Sequence, residues 1–196
     1  MDQSHAIGAN RDAGPAAGER TRTVTWDDPL PAARAGASLS GIEYLRGIAQ
    51  GTFPPPPIAL LLGFTLEEVD EGRVVFTAEP GEHHYNPIGV VHGGLAATLL
   101  DSAMGCAVHS LLPRGRAYTT LEIKVNYVRA IRRESGRLRA SASVVHMGGR
   151  IATAEGRIVD ASGQLCAHAT TTCILLDARA SAAAAARVPT PSDRDS

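Results

Sequence analysis

Residues 93–113 read GGLAATLLDSAMGCAVHSLLP, the longest apolar stretch of the chain, and Asp101 is its only formally charged residue. The length of this stretch would nearly permit a transmembrane helix. However, an aspartate at mid-span would cost about 2.5–3.5 kcal/mol on insertion scales, and strand patterns surround the segment. A helix that is apolar on every side is otherwise buried on every side. The sequence therefore predicts one long helix at the centre of the fold.

Four strand patterns follow Pro113 and are separated by short connections. Gly148-Gly149 is a two-residue hairpin signal, and DASG at 160–163 is a second turn. Strands joined so closely pair antiparallel. The patterns cover residues 120–127, where Leu121, Ile123, Val125 and Tyr127 alternate with polar residues, and then 137–146, 151–159 and 164–176. We therefore predict an α+β fold in which a curved antiparallel sheet encloses the central helix.

Shorter patterns precede the central helix. A helix opens after Ser40, its predicted cap, and ends at Gly51. The four prolines at 54–57 predict an extended stretch that excludes helix and strand. A strand is predicted at 73–79, with Val74, Phe76 and Ala78 facing inward.

The chain divides into one domain and two tails. Residues 1–37 are small and charged without periodicity, which predicts a disordered extension. Residues 178–196 are an alanine run followed by Pro, Ser and charge, which predicts a second disordered tail. The domain is then 38–177. The three cysteines form no CxxC or zinc spacing and no secretion signal is visible, so we predict reduced thiols and a cytoplasmic location.

Charge is nearly balanced overall but unevenly distributed. The net charge is −1, which favours neither a general nucleic-acid binder nor a membrane-surface binder. Between Arg114 and Arg157, however, ten Lys/Arg face only three acids. This local excess suits a small polyanionic ligand, although any single arginine fits a solvated strand face equally well.

The loop before the helix and its first turn carry the first chemical signal. Glycines at a helix start let another group approach the backbone, and the first turn has free N–H groups at the positive end of the helix dipole. Gly93-Gly94 thus predicts an oxyanion hole for a carbonyl oxygen that gains negative charge. The alternative is a simple loop-to-helix turn.

Asp101 is the second signal. A carboxylate on a buried apolar helix is costly without partners, so one that lines a cleft is a functional candidate. The alternative is a structural aspartate. Eight residues of helix, about 12 Å, separate Gly93 from Asp101, so one subunit cannot easily present both to the same carbonyl. Their cooperation would require two subunits related by a two-fold axis, and hence an obligate dimer.

These residues carry a resemblance to a known family. The motif is Asn86-x-x-Gly89-x-x-His92-Gly93-Gly94-x6-Asp101, and it is followed by TTLEIKVNY at 119–127. This pattern resembles the phenylacetyl-CoA/4-hydroxybenzoyl-CoA type of hot-dog thioesterase. The resemblance covers about residues 40–177. It implies hydrolysis of an acyl-CoA substrate without metal or redox cofactor. It also implies homodimers that often pair into homotetramers.

The resemblance assigns roles to matching positions. Asp101 matches the carboxylate that attacks the thioester or activates water, and the Gly93 N–H matches the oxyanion donor. Asn86 matches a polar residue near the thioester or the water, and His92 one that braces the loop. Thr120 matches a hydroxyl that orients water. Two further residues are candidates for substrate contact, Gly94 and, as the fallback for Thr120, Thr119.

Other side chains carry weaker signals. Candidates for the phosphates of CoA are Arg129, Arg132, Arg133 and Arg150, because guanidinium groups suit phosphate geometry. His83-His84 complete no metal site and fit loop surface better. Two rival functions remain at this stage. One is a non-catalytic acyl-CoA-binding module, and the other is a hydratase or dehydratase of the same fold.

Overall fold

The computed structural model describes residue 18 and residues 20–177, so the predicted tail at 178–196 and most of residues 1–19 lie outside the described part. Within these described residues, four α-helices and six strands follow one another, with two short 3₁₀ turns at Glu82–His84 and Arg133–Ser135. The elements are α1 Pro29–Gly36, α2 Gly41–Ala49, α3 Pro57–Leu62, β1 Phe64–Asp70, β2 Arg73–Ala78, α4 Gly93–Ser110, β3 Arg116–Tyr127, β4 Leu138–Met147, β5 Ile151–Val159 and β6 Leu165–Asp177.

The six strands form one sheet in the order β1-β2-β4-β5-β6-β3, and every neighbouring pair is antiparallel. The central helix α4 packs on this sheet and contributes side chains with no exposure, including Leu99, Leu100 and Met104. Gly156 of β5 allows the close approach, because an added Cβ would lie 3.1 Å from Leu100 and Met104. The predicted α+β hot-dog fold is confirmed.

Strand β3 departs from the predicted alternation. Thr120 pairs with Cys173 and Glu122 pairs with Thr172, so Leu121 is an extra residue in a β-bulge. The bulge reverses which residues face the helix along the strand. The predicted alternation of Leu121 with Ile123 is therefore broken, and Leu121 is 57% exposed, whereas Ile123 and Val125 pack against the core.

The segment between α2 and β2 also differs from the prediction. Pro57 is the first residue of α3, so the prediction that the four prolines exclude a helix is wrong at its last position. The reason is that the first helical position needs no N–H and suits the fixed φ of proline. Gly63 ends the helix with φ of +69°, and β1, which the sequence reading missed, begins directly after it.

The predicted disordered extension contains a helix. Asp28 accepts a hydrogen bond from the N–H of Leu30 and so caps α1, which has prolines in its first turn. Further upstream, Arg22 donates to the carbonyl oxygens of Leu61 and Leu60 at 2.7 and 3.1 Å. Residues 20–37 thus contact the domain. Within the described residues, no helix is long and apolar enough to cross a membrane.

Candidate active site

Asp101 of α4 and Thr120 of β3 are joined by a hydrogen bond. The Thr120 hydroxyl donates to Oδ1 of Asp101 at 3.0 Å, and both residues are partly buried. The bulge at Leu121 explains the contact. Strict alternation would place Thr120 on the face opposite Ile123, whereas the extra residue turns it toward the helix. Thr119, the fallback, is exposed and lies on the other face of the strand.

A cavity of 340 Å³ extends from Asp101 between α2, α3, α4 and the sheet. Such a volume is in the range of small-molecule sites. Its walls are mainly apolar, and they include Leu45, Ile48, Ile58, Phe64, Leu66 and Phe76. Its polar lining residues include Asp101, Ser102, Cys106 and Tyr118. The arrangement places a carboxylate beside a space that suits an apolar acyl group.

The sequence reading did not find this cavity. Its walls come from α3 and β1, whose contact with α4 no pattern in the chain reveals. The position of Tyr118 on the helix side of β3 could have been predicted, because it stands two residues before Thr120 and therefore shares its strand face.

The N-terminus of α4 offers one free backbone donor. Nδ1 of His92 accepts the N–H of Gly94 at 2.8 Å, so the His92 ring caps the helix. The backbone N–H of His92 donates to the carbonyl of His84 at 2.7 Å. Within residues 20–177, the N–H of Gly93 has no acceptor. Of these two glycines, Gly93 is therefore the one whose N–H is not used within these residues.

Asn86 organises the loop that leads to this helix. Its Oδ1 accepts the N–H groups of Ile88 at 3.1 Å and Val90 at 3.3 Å. Gly89, between them, has φ of +79°, which an L side chain rarely adopts. The structure therefore gives Asn86 a loop-bracing contact of the kind that the sequence reading assigned to His92.

The two ends of the site lie apart in a single chain. Asp101 contacts Thr120, whereas Gly93 lies beside Tyr127, whose hydroxyl donates to the Gly93 carbonyl at 3.2 Å. Eight helical residues, about 12 Å along the axis, separate the two groups. The chain by itself does not bring Asp101 and the Gly93 N–H to one point.

The arginines divide into two groups. The first group forms ion pairs with acids of β1, so part of the predicted arginine excess neutralises acids of the sheet. The pairs join Arg73, Arg137 and Arg139 to Glu67, Glu68 and Asp70. Exposed pairs of this kind contribute about 0–1 kcal/mol each.

The four predicted phosphate ligands are exposed and form no ion pair within the described residues. Arg129 lines a groove with His92 and Gly93. Arg133 donates its backbone N–H to the Tyr85 hydroxyl, which places residues 132–133 beside the loop before α4. Arg150 lies at the β4–β5 turn, near the start of β3 and away from the other three.

His84 is structural, and the prediction that it is loop surface is wrong. It is buried, its Nδ1 accepts the N–H of Gly81 at 3.1 Å, and its Nε2 lies 3.0 Å from the Leu62 carbonyl. The ring thereby ties the loop to the end of α3. Among the described residues, no group of three or more His, Cys, Asp or Glu side chains could hold a metal ion.

Stability should fall as the pH drops below about 6.5, the ordinary histidine value. Burial lowers the pKa of His84, and burial also lowers the pKa of His109. The unfolded chain therefore binds these protons at a higher pH than the folded chain, so the stability present above the ordinary pKa is lost on acidification. The lowered pKa values of Glu68 and Asp160 also make stability fall on acidification, but only at a lower pH.

Thermal melts between pH 7.5 and 5.5 test this expectation. His84→Gln should lower the melting temperature at pH 7.5 but should also reduce its change with pH, because one of the rings whose pKa is lowered by burial is gone. His146→Gln is the matched control, since this ring is exposed and lies on β4, away from His84. An unchanged pH dependence in the His84 variant would contradict the assignment.

Comparisons with known proteins agree with the fold. The profile of the thioesterase superfamily matches residues 88–167, which include Gly93, Asp101 and Thr120. A protein of Halobacterium salinarum that is provisionally named an esterase is 39% identical over 103 residues, which are 50% of this chain and 66% of that protein. The 1,4-dihydroxy-2-naphthoyl-CoA hydrolase of Escherichia coli is 27% identical over 69% of this chain and 94% of the hydrolase.

Solved structures share the fold. The conserved protein PA5202 of Pseudomonas aeruginosa superposes with a TM-score of 0.58 at 30% identity, and the match covers 62% of this chain and 95% of that one. A larger share of this chain than of PA5202 therefore lies outside the match.

Proposed function

Because this chain belongs to the thioesterase superfamily and is a thioester hydrolase, we propose that it cleaves an acyl-CoA into a free acid and CoA. The observation that carries the proposal is the Asp101–Thr120 pair, whose carboxylate lines the apolar cavity. The carboxylate lies where an acyl group in the cavity would present its thioester. The hydroxyl of Thr120 lies within reach of the same point.

Asp101 acts as the base for an attacking water or as the nucleophile itself. In either case a bond forms to the thioester carbon, and the carbonyl oxygen gains negative charge. The N–H of Gly93 donates a hydrogen bond to that oxygen. Collapse of the intermediate breaks the carbon–sulfur bond and releases CoA as a thiolate, a leaving group that needs no strong acid. If water attacks, the free acid forms in this step and the proton taken up by Asp101 passes to the thiolate. If Asp101 attacks, an acyl–aspartyl anhydride remains, and a water molecule hydrolyses it to the free acid and the carboxylate of Asp101.

In the proposed dimer, each subunit supplies the Gly93 N–H that the Asp101 of its partner lacks within its own chain. Strand β3 is an edge of the described sheet, twelve residues long, and an open edge of this length is a template for pairing. Two β3 strands that pair antiparallel about an axis near Ile123 place Thr120 of one protomer opposite Tyr127 of the other. Tyr127 lies on Gly93, so this pairing brings the partner subunit's Gly93 toward Asp101. An isologous dimer then has two sites.

The same pairing also brings the exposed arginines of the two subunits toward one another. It brings the β4–β5 turn of one protomer, which carries Arg150, toward the end of the partner's β3 and its Arg129. Arg132 and Arg133 lie along the loop beside that end. We propose that these exposed arginines hold the phosphates of CoA. A further pairing into tetramers and a cytoplasmic location stay predictions.

Release of free CoA thiol from a panel of aliphatic and aromatic acyl-CoAs tests the function. We expect hydrolysis of at least one member, with turnover that persists in metal-chelating buffer. Binding without hydrolysis would instead support an acyl-CoA-binding module. Addition of water to an enoyl-CoA without thiol release would support the hydratase function.

Thr120→Val should lower kcat by about tenfold, the effect of losing one hydrogen bond to a charged group. The change keeps the size of the side chain and removes only the hydroxyl that contacts Asp101. Thr120→Ser should restore most of the activity, because it returns the hydroxyl. Thr119→Val is the matched control on the opposite face of β3. Equal kcat values for Thr120→Val and wild type would exclude a role for this hydroxyl.

A further inference from the structure

His84 lies between a wall of the acyl cavity and the loop that leads to Gly93. The residue is 8% exposed, and its Nε2 lies 3.0 Å from the carbonyl oxygen of Leu62, at the end of α3. Its own backbone carbonyl accepts the N–H of His92 at 2.7 Å. Because His92 directly precedes Gly93, two hydrogen bonds of His84 join α3 to the start of α4.

The partners of the His84 ring fix the roles of its two nitrogens. Nδ1 lies 3.1 Å from the backbone nitrogen of Gly81, which can only donate, so Nδ1 accepts and the ring proton is on Nε2. Nε2 therefore donates to the Leu62 carbonyl. Burial, together with the neighbouring charges of His83 and Arg22, lowers the pKa of His84, so the ring keeps this neutral form at neutral pH.

The helix end that accepts this hydrogen bond is itself held in place. The last four carbonyl groups of α3, those of residues 59–62, all have a donor. The donors are the N–H of Gly63, the guanidinium of Arg22 and the ring of His84. The terminal carbonyls of a helix lack partners inside the helix, so such contacts keep its last turn from fraying. His84 is therefore anchored on a fixed point.

Other contacts hold other parts of the same loop. Asn86 braces the tip of the loop, and the carbonyl of Ile131 accepts the N–H of the residue before His92 at 3.0 Å. Among the described residues, the N–H of His92 donates to His84 alone. The peptide group between His92 and Gly93 carries the Gly93 N–H, so the direction of this N–H depends on where His84 is held.

We propose that His84 is a positioning residue for the hydrolysis, whose ring holds the backbone that aims the Gly93 N–H at the thioester carbonyl oxygen. This inference rests on the proposed function and on the oxyanion role of Gly93 within it. The ring itself does not touch the substrate. A donor stabilises the developing charge because it is already in place, without reorganisation during the reaction. A displacement of about 1 Å can lower a rate by up to about 10²-fold.

Two substitutions separate the two contacts of the ring. The amide of asparagine reaches the position of Nδ1, so His84→Asn keeps the acceptor for Gly81 and loses the donor to Leu62. The amide of glutamine reaches the position of Nε2, so His84→Gln keeps that donor and loses the acceptor. Both variants leave one backbone group unpaired, so both should lower the melting temperature. We expect only His84→Asn to lower kcat, by about tenfold and with little change in KM.

A double-variant comparison decides whether the effect passes through Gly93. Gly93→Pro removes the N–H that His84 is proposed to aim, so adding His84→Asn to it should change kcat by less than about twofold. A further loss of about tenfold in this background, as large as the loss in the wild-type background, would leave His84 as a structural residue only.

The remaining outcomes separate the inference from the proposed function. If wild type releases no CoA thiol from any acyl-CoA of the panel, both are overturned. If wild type hydrolyses its substrate but His84→Asn and His84→Gln have equal kcat values, only the inference about His84 is overturned. His84→Gln also tests it alone, since a folded glutamine variant that loses about tenfold in kcat would contradict the role of the Leu62 contact.

Discussion

Asp101→Asn should lower kcat by about 10³-fold, within the range for removal of a general base or nucleophile. Asparagine keeps the size of the side chain and an oxygen that can accept the Thr120 hydroxyl, so the local geometry is retained. It removes the negative charge and the basicity that attack on a thioester requires. The effect should fall on kcat, with little change in KM, because the group acts on the reacting carbon.

The control for this variant is Asp177→Asn, at the exposed end of β6. Thermal melting should show that the Asp101 variant is folded, and its stability should not decrease, since a partly buried charge has been removed. A folded variant that retains more than a tenth of wild-type kcat would contradict the catalytic assignment of Asp101.

Gly93→Pro should lower kcat by about 10²-fold, the effect of losing one oxyanion donor. The substitution removes the backbone N–H and adds a ring, whose Cβ takes the position that an alanine Cβ would also take. Gly93 is the first residue of α4, where proline is favoured, and the preceding His92 has φ of −60° and ψ of 135°, which suits a residue before proline. The lost N–H has no acceptor within the described chain, so no internal hydrogen bond is broken.

Gly93→Ala is the matched control because it adds a Cβ, 3.1 Å from the Tyr127 ring, but keeps the N–H. Mixing the Asp101→Asn and Gly93→Pro proteins then tests whether the site is shared. In a mixed dimer one site has both intact groups and the other has neither, so random exchange should restore about a quarter of wild-type activity. No recovery after demonstrated subunit exchange would place both groups in one protomer.

The regular elements could be predicted from the sequence because their patterns are strong. The apolar segment around Asp101 forms the central helix, the capping signal at Ser40 begins α2, and two short turns fix the hairpins of β4, β5 and β6. These features depend on neighbours close in sequence. For the same reason the loop-to-helix motif at His92 could be recognised as a candidate site before the structure was available.

The remaining features depend on contacts between distant residues. The bulge at Leu121 arises from pairing with β6, and no local signal distinguishes Thr120 from Thr119 without it. The burial of His84 depends on the end of α3, twenty-two residues earlier in the chain. The ring of Tyr118 packs against α4 only because Gly105 leaves space for it on that helix.

The contact between Arg22 and α3 has a practical consequence for chain shortening. A protein trimmed to begin at residue 38 would keep the central helix, the sheet and every group proposed to act on the thioester. It would lose the guanidinium that binds the last carbonyls of α3, and α3 forms a wall of the acyl cavity. Such a trimmed protein should therefore still cleave thioesters, but its preference among acyl chains would differ from that of the 196-residue chain.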